Sequence, residues 1–195
     1  MLPLKCIFIR KIDMDVRISG GFLKGRRITG GPSGPFRPTT DRNRQMVFNI
    51  LGTDVSNSSF LDLYSGSGAV GLEALSRGAG HVTFIDNDFG AVRCIEQCIY
   101  ALGQSKSCRI ICDDAAVLSK LSGLPNVYSL IFLDPPYDFF PVPNMLQISE
   151  LLSPGGILIF EHASRHKPKG VPNLSLLFER NAGESMFTFF RKDAS

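Results

Sequence analysis

Short apolar runs alternate with segments of helical spacing along most of the chain, from residue 59 onward. Five of these runs predict buried β-strands, at residues 60–64, 81–86, 109–112, 129–134 and 156–161. The segments between them predict helices, at residues 69–77, 89–102, 115–121 and 143–152. Because strands alternate with helices, the pattern favours an α/β fold built on a mostly parallel sheet.

The end of the chain departs from this alternation. Residues 174–180 and 185–191 are both strand-like, and Asn181-Ala182-Gly183-Glu184 between them has the composition of a tight turn. This pattern predicts a closing β-hairpin, so that the last strand runs antiparallel to its neighbours. The sheet would then have seven strands.

The residues before this domain predict a small appendage. Residues 16–29 show strand-like alternation punctuated by glycines, which indicates a β-hairpin, and residues 30–35 indicate an irregular connection. Residues 39–41 offer helix-capping side chains. The apolar residues of the helix that would follow fall on one face: Met46, Val47, Ile50 and Leu51. We place the boundary in the polar stretch after this helix, which gives an N-terminal extension of residues 1–57 and a main domain of residues 58–195.

Composition is that of a globular protein. The chain has 195 residues, of which 44% are hydrophobic, so it can bury a core without a disulfide scaffold. Its 5 cysteines are an odd number and no stretch resembles a secretory signal, which favours reduced thiols in the cytoplasm. No segment approaches the roughly 20 apolar residues of a membrane span, so we expect a soluble protein.

Charge is distributed unevenly along the chain. Residues 1–50 contain ten Lys or Arg and three Asp, a balance of +7, whereas the rest contain eleven basic and fifteen acidic residues, a balance of −4. A basic segment joined to an acidic remainder indicates a polyanionic partner bound by the N-terminal part. A solvated basic face is the alternative that charge alone leaves open.

The first candidate site is the glycine-rich segment that follows the first predicted strand. Glycines there let the backbone approach a ligand and present the amides of a helix N-terminus to it. Gly66, Gly68 and Gly71 also satisfy the spacing of a dinucleotide fingerprint, so a nicotinamide enzyme is a rival. Asp62 favours S-adenosylmethionine, because a carboxylate repels a pyrophosphate and attracts the ammonium group of a methionine. The predicted contacts with that cofactor are Asp62, Tyr64, Ser65, Gly66, Ser67 and Gly68.

Acidic residues after the next two predicted strands fit the same ligand. Asp86, with Asn87 after it, would accept hydrogen bonds from the ribose hydroxyls. Asp114, with Asp113 before it, offers an acceptor to the adenine amine. These residues also precede predicted helices, where Asp and Asn are favoured as caps, so capping alone is the alternative.

The decisive motif is Asp134-Pro135-Pro136-Tyr137, at the end of a predicted buried strand. An exocyclic base amine is a poor nucleophile because its lone pair is delocalised into the ring. The Asp134 carboxylate and the Pro135 carbonyl would each accept one amine hydrogen and so direct the lone pair to the cofactor methyl group, while the prolines fix the backbone. Tyr137 would stack on an extruded base. We predict these four residues as catalytic, with direct transfer; a simple proline turn is the alternative.

The cysteines do not predict a metal site. The pair Cys94 and Cys98 and the pair Cys108 and Cys112 lack the usual zinc spacing, and buried thiols are common. We therefore predict no metal cofactor.

Several short motifs of the chain also occur together in one known family. They are Arg17-Ile18-Ser19-Gly20-Gly21, Gly25-Arg26-Arg27, Arg37-Pro38-Thr39-Thr40-Asp41-Arg42 with Arg44, the glycine loop and Asp134-Pro135-Pro136-Tyr137. With them the chain resembles, from about Asp15 onward, the bacterial 16S ribosomal RNA guanine-N2 methyltransferases of the RsmD type. The arginine-proline-threonine motif is more specific than the glycine loop, which a very large superfamily shares.

The resemblance implies a class I S-adenosylmethionine-dependent methyltransferase fold, Rossmann-like, with a seven-stranded sheet. It implies methylation of the N2 amine of one guanine in small-subunit ribosomal RNA, free or in an assembling particle, by a cytoplasmic monomer. The basic extension would then hold RNA phosphates. Its predicted RNA contacts are Arg17, Lys24, Arg26, Arg27, Arg37, Thr39, Arg42 and Arg44. Related motifs serve adenine in DNA and protein amides, and those substrates remain alternatives.

Overall fold

The computed structural model describes residues 16–28, 39–115, 128–136, 145–166, 168 and 170–194. The strands in these ranges are β1 (Val16–Arg17), β2 (Arg27–Ile28), β3 (Ser59–Leu63), β4 (His81–Asp86), β5 (Cys108–Cys112), β6 (Tyr128–Leu133), β7 (Leu152–Ala163), β8 (Leu174–Ala182) and β9 (Ser185–Lys192). The helices are α1 (Asp41–Leu51), α2 (Ala69–Ser76), α3 (Phe89–Ala101) and α4 (Met145–Leu151). No helix of the described ranges is long and apolar enough to cross a membrane.

Seven of the strands form one sheet in the order β5-β4-β3-β6-β7-β9-β8. The neighbours from β5 to β7 are parallel, and β9 is antiparallel to both β7 and β8. The predicted α/β fold, the closing hairpin and the antiparallel last strand are therefore confirmed. The carboxyl ends of β3, β4, β5, β6 and β7 lie along one edge, where ligands bind in open α/β sheets.

The largest difference from the predicted element bounds is at β7. The strand β7 begins at Leu152, where a helix was predicted, because Leu152 pairs with Tyr128 on β6. It continues to Ala163, which pairs with Ser185 on β9. The predicted helix at 115–121 lies, apart from Ala115, outside the described residues.

The two faces of the sheet carry separate hydrophobic cores. Phe60, Phe132 and Ile159 face a core that includes apolar residues of α1, α2 and α3. The residues that alternate with them along the strands, such as Leu61 and Leu133, face a second core that includes Ile148 of α4. This alternation follows from the two-residue repeat of a strand.

The N-terminal residues pack against the first of these cores. Their buried side chains belong to the same cluster as the sheet: Val16, Ile18, Leu23, Ile28, Val47, Phe48, Leu51 and Val55. The predicted hairpin and the predicted helix are both present, with Thr40 as the cap that accepts a hydrogen bond from the amide of Asn43. The boundary we predicted between residues 57 and 58 thus separates two segments that share one core.

Polar contacts fix the hairpin to α2. Buried Glu73 accepts hydrogen bonds from the Ser19 amide at 2.7 Å, the Ser19 hydroxyl at 2.8 Å and Arg77 Nε at 2.8 Å. The amide of Phe22 donates to the carbonyl of Ser76 at 2.8 Å. Since α2 begins at the glycine loop, the hairpin is anchored to the element that carries the candidate cofactor site.

Candidate active site

The glycine loop joins β3 to α2 at the carboxyl edge of the sheet. Gly66 and Gly68 have φ values of 52° and 73°, in the left-handed region that favours glycine. The hydroxyl of Ser65 donates to the Asp62 carbonyl at 2.7 Å and accepts from the Ile85 amide at 3.0 Å, which connects the loop to β3 and β4. The loop therefore has the conformation that presents the amides of a helix N-terminus to a ligand.

Gly71 allows α2 to lie directly on the sheet. Its amide donates to Asp62 Oδ2 at 2.8 Å, and a Cβ on Gly71 would lie 2.3 Å from Phe84 Cε1. The third glycine of the motif is thus required by packing rather than by its φ angle.

Asp62 is almost fully buried beside this loop. Burial raises the pKa of its carboxyl group to about 8, the hydrogen bond from Gly71 opposes that rise, and the charge of Asp86 adds to it. The position suits a ligand that carries a positive charge, because a cation would offset the cost of ionising this group.

Asp86, the last residue of β4, stabilises the glycine loop through its carboxylate. Its Oδ2 accepts a hydrogen bond from the Gly66 amide at 2.7 Å, and its Oδ1 accepts one from the Asp88 amide at 2.8 Å. Each oxygen of a carboxylate has a second lone pair, and Asp86 is partly exposed, so it can still accept from a ligand. The cap of α3 is Asp88, which accepts from the Ala91 amide at 2.7 Å, and Asn87 is exposed between them.

The acids after β5 lie near the same loop. The amide of Asp113 donates a hydrogen bond to the Asp86 carbonyl at 3.0 Å. The side-chain Oδ1 of Asp113 accepts a hydrogen bond from the Asp114 amide at 2.7 Å. Burial, together with the charge of Asp114, raises the pKa of Tyr64 to about 12. The fold thus brings Asp114 close to Tyr64, although 50 positions separate them in the sequence.

The motif after β6 lies on the same edge. The Asp134 amide donates to the Leu63 carbonyl at 3.4 Å, so the motif is next to the end of β3. The Asp134 side chain is partly exposed, Pro135 is buried and Pro136 is exposed. Tyr137 lies outside the described residues, and so does Arg37 of the extension.

Asp134 belongs to a group of three acids that the sequence analysis did not identify as a unit. Asp62 and Glu161 lie near the carboxyl ends of β3 and β7, and Asp134 follows β6, which lies between these two strands in the sheet. Burial raises the pKa of Asp134 well above its usual value, the charges of Glu161 and Asp62 raise it further, and a hydrogen bond with the Thr39 hydroxyl opposes the rise. Their proximity makes it unfavourable for all three acids to be ionised together.

Glu161 and Thr39 are the residues whose place in the site the sequence analysis missed. The Thr39 hydroxyl donates to Glu161 Oε2 at 2.9 Å, and both side chains are buried. Glu161 is the last residue of a predicted strand, as Asp86 and Asp134 are, so an acid at the end of a strand was a signal that could have identified it.

The prediction that Arg44 contacts RNA phosphate is wrong. Only 1% of its surface is exposed, and its guanidinium donates to the Thr39 carbonyl, the Arg17 carbonyl and Asp41 Oδ1 at 2.9, 2.7 and 2.7 Å. It lies on the inward face of α1 and joins the hairpin to the start of that helix. Thr39, another predicted RNA contact, is likewise buried, against Glu161.

The other basic residues of the extension that the structure describes lie at the surface. Arg17, Lys24, Arg26, Arg27 and Arg42 are exposed. In the described part of the chain, no group of three or more His, Cys, Asp or Glu side chains has the arrangement of a metal site.

Known proteins resemble the chain over most of its length. A family model described as "Conserved hypothetical protein 95" matches residues 16–191. The ribosomal RNA small subunit methyltransferase D of Escherichia coli K12 is 31% identical over 183 residues, which are 92% of this chain and 91% of that protein. YlbH of Bacillus subtilis, named as a candidate rRNA methyltransferase, is 30% identical over 182 residues, 91% of this chain and 99% of the relative.

A solved structure has the same fold. This is the structure of yhhF from Escherichia coli, which is described as a candidate methyltransferase. Its sequence is 29% identical to this chain. The superposition has a TM-score of 0.79 and covers 93% of this chain and 100% of yhhF. The chain thus has the class I S-adenosylmethionine-dependent methyltransferase fold that its sequence predicted.

Proposed function

The chain belongs to the family of conserved hypothetical protein 95, and from this premise we propose that it is an S-adenosylmethionine-dependent methyltransferase of ribosomal RNA. One observation carries the proposal: the glycine loop and Asp134 lie at neighbouring strand ends, joined by the hydrogen bond from the Asp134 amide to Leu63. A cofactor on the loop would therefore lie beside the residues that receive the substrate. One relative is named as a methyltransferase of small-subunit ribosomal RNA, and another as a candidate rRNA methyltransferase.

The residues of the loop fit S-adenosylmethionine. Asp62 would bind its ammonium group, directly or through water, Asp86 its ribose hydroxyls and Asp114 its adenine amine. When bound, this cofactor supplies an electrophilic methyl group. A nicotinamide dinucleotide fits less well, because its pyrophosphate would lie next to Asp62 and the raised pKa of that residue shows how poorly a negative charge is stabilised there.

Cofactor binding at neutral pH is expected to release a proton from Asp62. The raised pKa of about 8 means that Asp62 is mostly protonated in the free protein at pH 7. An ammonium group beside it would lower that pKa, so that about one proton leaves when S-adenosylhomocysteine binds. Calorimetry in two buffers that differ in ionisation enthalpy measures the number released.

The same titration of Asp62→Asn is the control, because the amide of asparagine has no proton to release at neutral pH. Equal proton release by Asp62→Asn and the wild-type protein would contradict this assignment of Asp62.

The substrate would be an exocyclic amine held by Asp134 and Pro135. The carboxylate of Asp134 and the carbonyl of Pro135 each accept one amine hydrogen, which directs the nitrogen lone pair towards the cofactor. After methylation the nitrogen loses a proton, which the carboxylate of Asp134 would accept. The reaction requires no covalent link to the protein.

We propose the N2 amine of one guanine in 16S ribosomal RNA as the methylated group. The basic extension supports a nucleic acid over a protein amide, since exposed cations attract phosphates. Mass mapping of ribosomal RNA from cells with and without the protein tests this choice, and purified protein should restore the missing methyl group. A methyl group missing from adenine in DNA instead would favour the alternative substrate.

Replacing both Arg26 and Arg27 by alanine is expected to weaken RNA binding by roughly 10- to 100-fold at moderate salt. Both residues are exposed on the hairpin, and each phosphate contact that is lost should lower the slope of log affinity against log salt by about 1. Fluorescence anisotropy with a fragment of small-subunit RNA, at several salt concentrations, measures both quantities.

A matched double variant, Lys106→Ala with Arg180→Ala, removes the same charge from exposed positions outside the extension. If both pairs weaken binding equally, only net charge matters and the hairpin is not the RNA contact. Affinity for S-adenosylhomocysteine should be unchanged in both.

A further inference from the structure

The turn of the N-terminal hairpin is fixed to the end of α2. The amide of Phe22 donates to the Ser76 carbonyl at 2.8 Å, and the amide of Leu23 donates to the Ser76 hydroxyl at 2.9 Å. The same hydroxyl donates to the Gly20 carbonyl. Gly21 has a φ of 75°, and a Cβ on it would lie 1.8 Å from the Ser76 carbonyl oxygen, so the turn lies directly on the helix. The backbone on both sides of Phe22 is therefore held in one position.

The two apolar side chains of this turn differ in exposure. Leu23 is 7% exposed and belongs to the core that covers one face of the sheet. Phe22, directly before it, is 64% exposed, and in the described part of the extension it is the one large apolar side chain at the surface. Single exposed apolar residues are common, but the backbone of this one is already ordered. Little further conformational entropy is lost when such a ring binds a partner.

Basic side chains lie in the same turn. Lys24 and Arg26 are exposed, and their amides donate to the carbonyls of Gly21 and Leu23 at 3.2 and 3.0 Å. An exposed aromatic ring among cations is the combination that binds single-stranded nucleic acid, because the ring stacks on a base while the cations attract the phosphates. The charge of the turn favours RNA over an apolar protein surface as its partner.

The turn is distant from the methyl-transfer site. The helix α2 begins at the glycine loop, and its 8 residues span about 12 Å. Phe22 is bonded to Ser76, the last residue of that helix, at the end remote from the loop. A base that contacts Phe22 is therefore a different base from the one beside Asp134.

We propose that Phe22 stacks on an unpaired base of the substrate RNA and so positions the RNA while its target base lies at Asp134. The proposal rests on the proposed function, methylation of ribosomal RNA, and names a contact that the phosphates do not provide. Cations bind any RNA backbone, whereas a stacked ring requires a base that is unpaired and accessible at a fixed place. Phe22 would thus favour RNA in which such a base lies at the right distance from the target.

Phe22→Ala is expected to weaken the binding of a fragment of small-subunit RNA by about tenfold, because one stacking contact is lost. Stacking releases no counterions, so the slope of log affinity against log salt should stay at its wild-type value. The variant without Arg26 and Arg27 should instead have a smaller slope. Fluorescence anisotropy with the full chain at several salt concentrations measures both quantities.

Two further substitutions separate stacking from general apolar contact. Phe22→Leu keeps an apolar side chain without a ring and should lose about as much affinity as Phe22→Ala. Phe22→Tyr keeps the ring and should bind as the wild type does. Wild-type affinity in Phe22→Ala, full affinity in Phe22→Leu, or a reduced salt slope in either would overturn the proposal.

Tyr100→Ala is the matched control, because Tyr100 is 82% exposed near the end of α3 and lies outside the extension. It should leave RNA affinity unchanged, and a loss equal to that of Phe22→Ala would show that the effect is not specific to the turn. The melting temperature and the affinity for S-adenosylhomocysteine should be unchanged in both variants, because both side chains are exposed.

Methyl transfer gives a second readout. Phe22→Ala should raise KM for the RNA by about tenfold and leave kcat unchanged, because the lost contact is the same in the bound and the reacting complex. If Phe22→Ala binds RNA normally and only its binding to a particle with ribosomal proteins is weaker, the ring contacts protein and the proposal is wrong. If the wild-type chain transfers no methyl group to ribosomal RNA, the proposed function fails, while the anisotropy measurements still decide whether Phe22 contacts RNA.

Discussion

Replacing Asp134 by asparagine is expected to lower the rate of methyl transfer by at least about 10³-fold while the protein stays folded. Asparagine has the same shape, but its amide has one oxygen and no negative charge, so it polarises the amine weakly and cannot take up the proton that the nitrogen releases. Single-turnover assays with bound cofactor and small-subunit RNA measure this rate without interference from product release. A rate within tenfold of wild type would remove Asp134 from the mechanism.

Stability measurements separate this loss from misfolding. The pKa of Asp134 is raised above its ordinary value of 3.8, which means that ionising it costs more in the folded than in the unfolded protein. Its contribution to stability is therefore favourable at low pH and is lost as pH rises through the folded pKa. Asparagine cannot ionise, so Asp134→Asn should match or exceed the wild-type melting temperature at neutral pH, with a difference that grows as pH rises.

Asp54→Asn is a suitable control for this comparison, because Asp54 is an exposed acid outside the site. It should change neither the rate of transfer nor the pH dependence of the melting temperature. A lower melting temperature for Asp134→Asn at neutral pH would contradict the burial-induced shift in the Asp134 pKa.

Gly71→Ala is expected to destabilise the fold by about 1–3 kcal/mol and to abolish binding of S-adenosylhomocysteine. The added methyl group would lie 2.3 Å from the ring of Phe84, whose side chain is buried and cannot move aside freely. Alanine is favoured over glycine in a helix by about 1 kcal/mol, but overpacking outweighs that gain. Because the Gly71 amide bonds Asp62, a shift of α2 would also displace the predicted ammonium site.

The matched variant is Gly170→Ala, which adds the same methyl group where no atom of the described residues, other than its chain neighbours, lies within 4 Å. It should keep the melting temperature and the calorimetric affinity of the wild type. If Gly71→Ala binds S-adenosylhomocysteine as tightly as Gly170→Ala does, Gly71 is not needed for the cofactor site.

Much of the candidate site could be predicted from the sequence because its parts are local motifs. Each acid that we proposed for the cofactor or the substrate lies within, at the end of or directly after a strand-like run, and the carboxyl ends of parallel strands meet at one edge. The sequence did not predict that Asp86 accepts a hydrogen bond from the Gly66 amide at 2.7 Å, because this contact joins the ends of two different strands. The sequence also could not show that the N-terminal cap of α3 is Asp88 rather than the adjacent Asn87.

The basic extension shows where local reasoning fails. Charge and spacing made Arg44 and Arg42 equivalent as RNA contacts, yet the first is buried and the second is exposed. The difference is their angle on α1, which matters only once the hairpin and the sheet cover one face of that helix. An arginine whose guanidinium bonds two backbone carbonyls contributes to packing, although its charge suggested a ligand.

The sequence by itself determined the class of fold, the glycine loop and the motif at Asp134, because strand periodicity and turn chemistry are properties of a few consecutive residues. Only the tertiary structure decided that β6 lies between β3 and β7, and that Thr39 meets Glu161 across 122 positions of the chain. Such contacts depend on which strands pair and which helix faces are covered. The free energy of that arrangement comes from burying the two cores together, so no local pattern reveals the buried acids that surround Asp134.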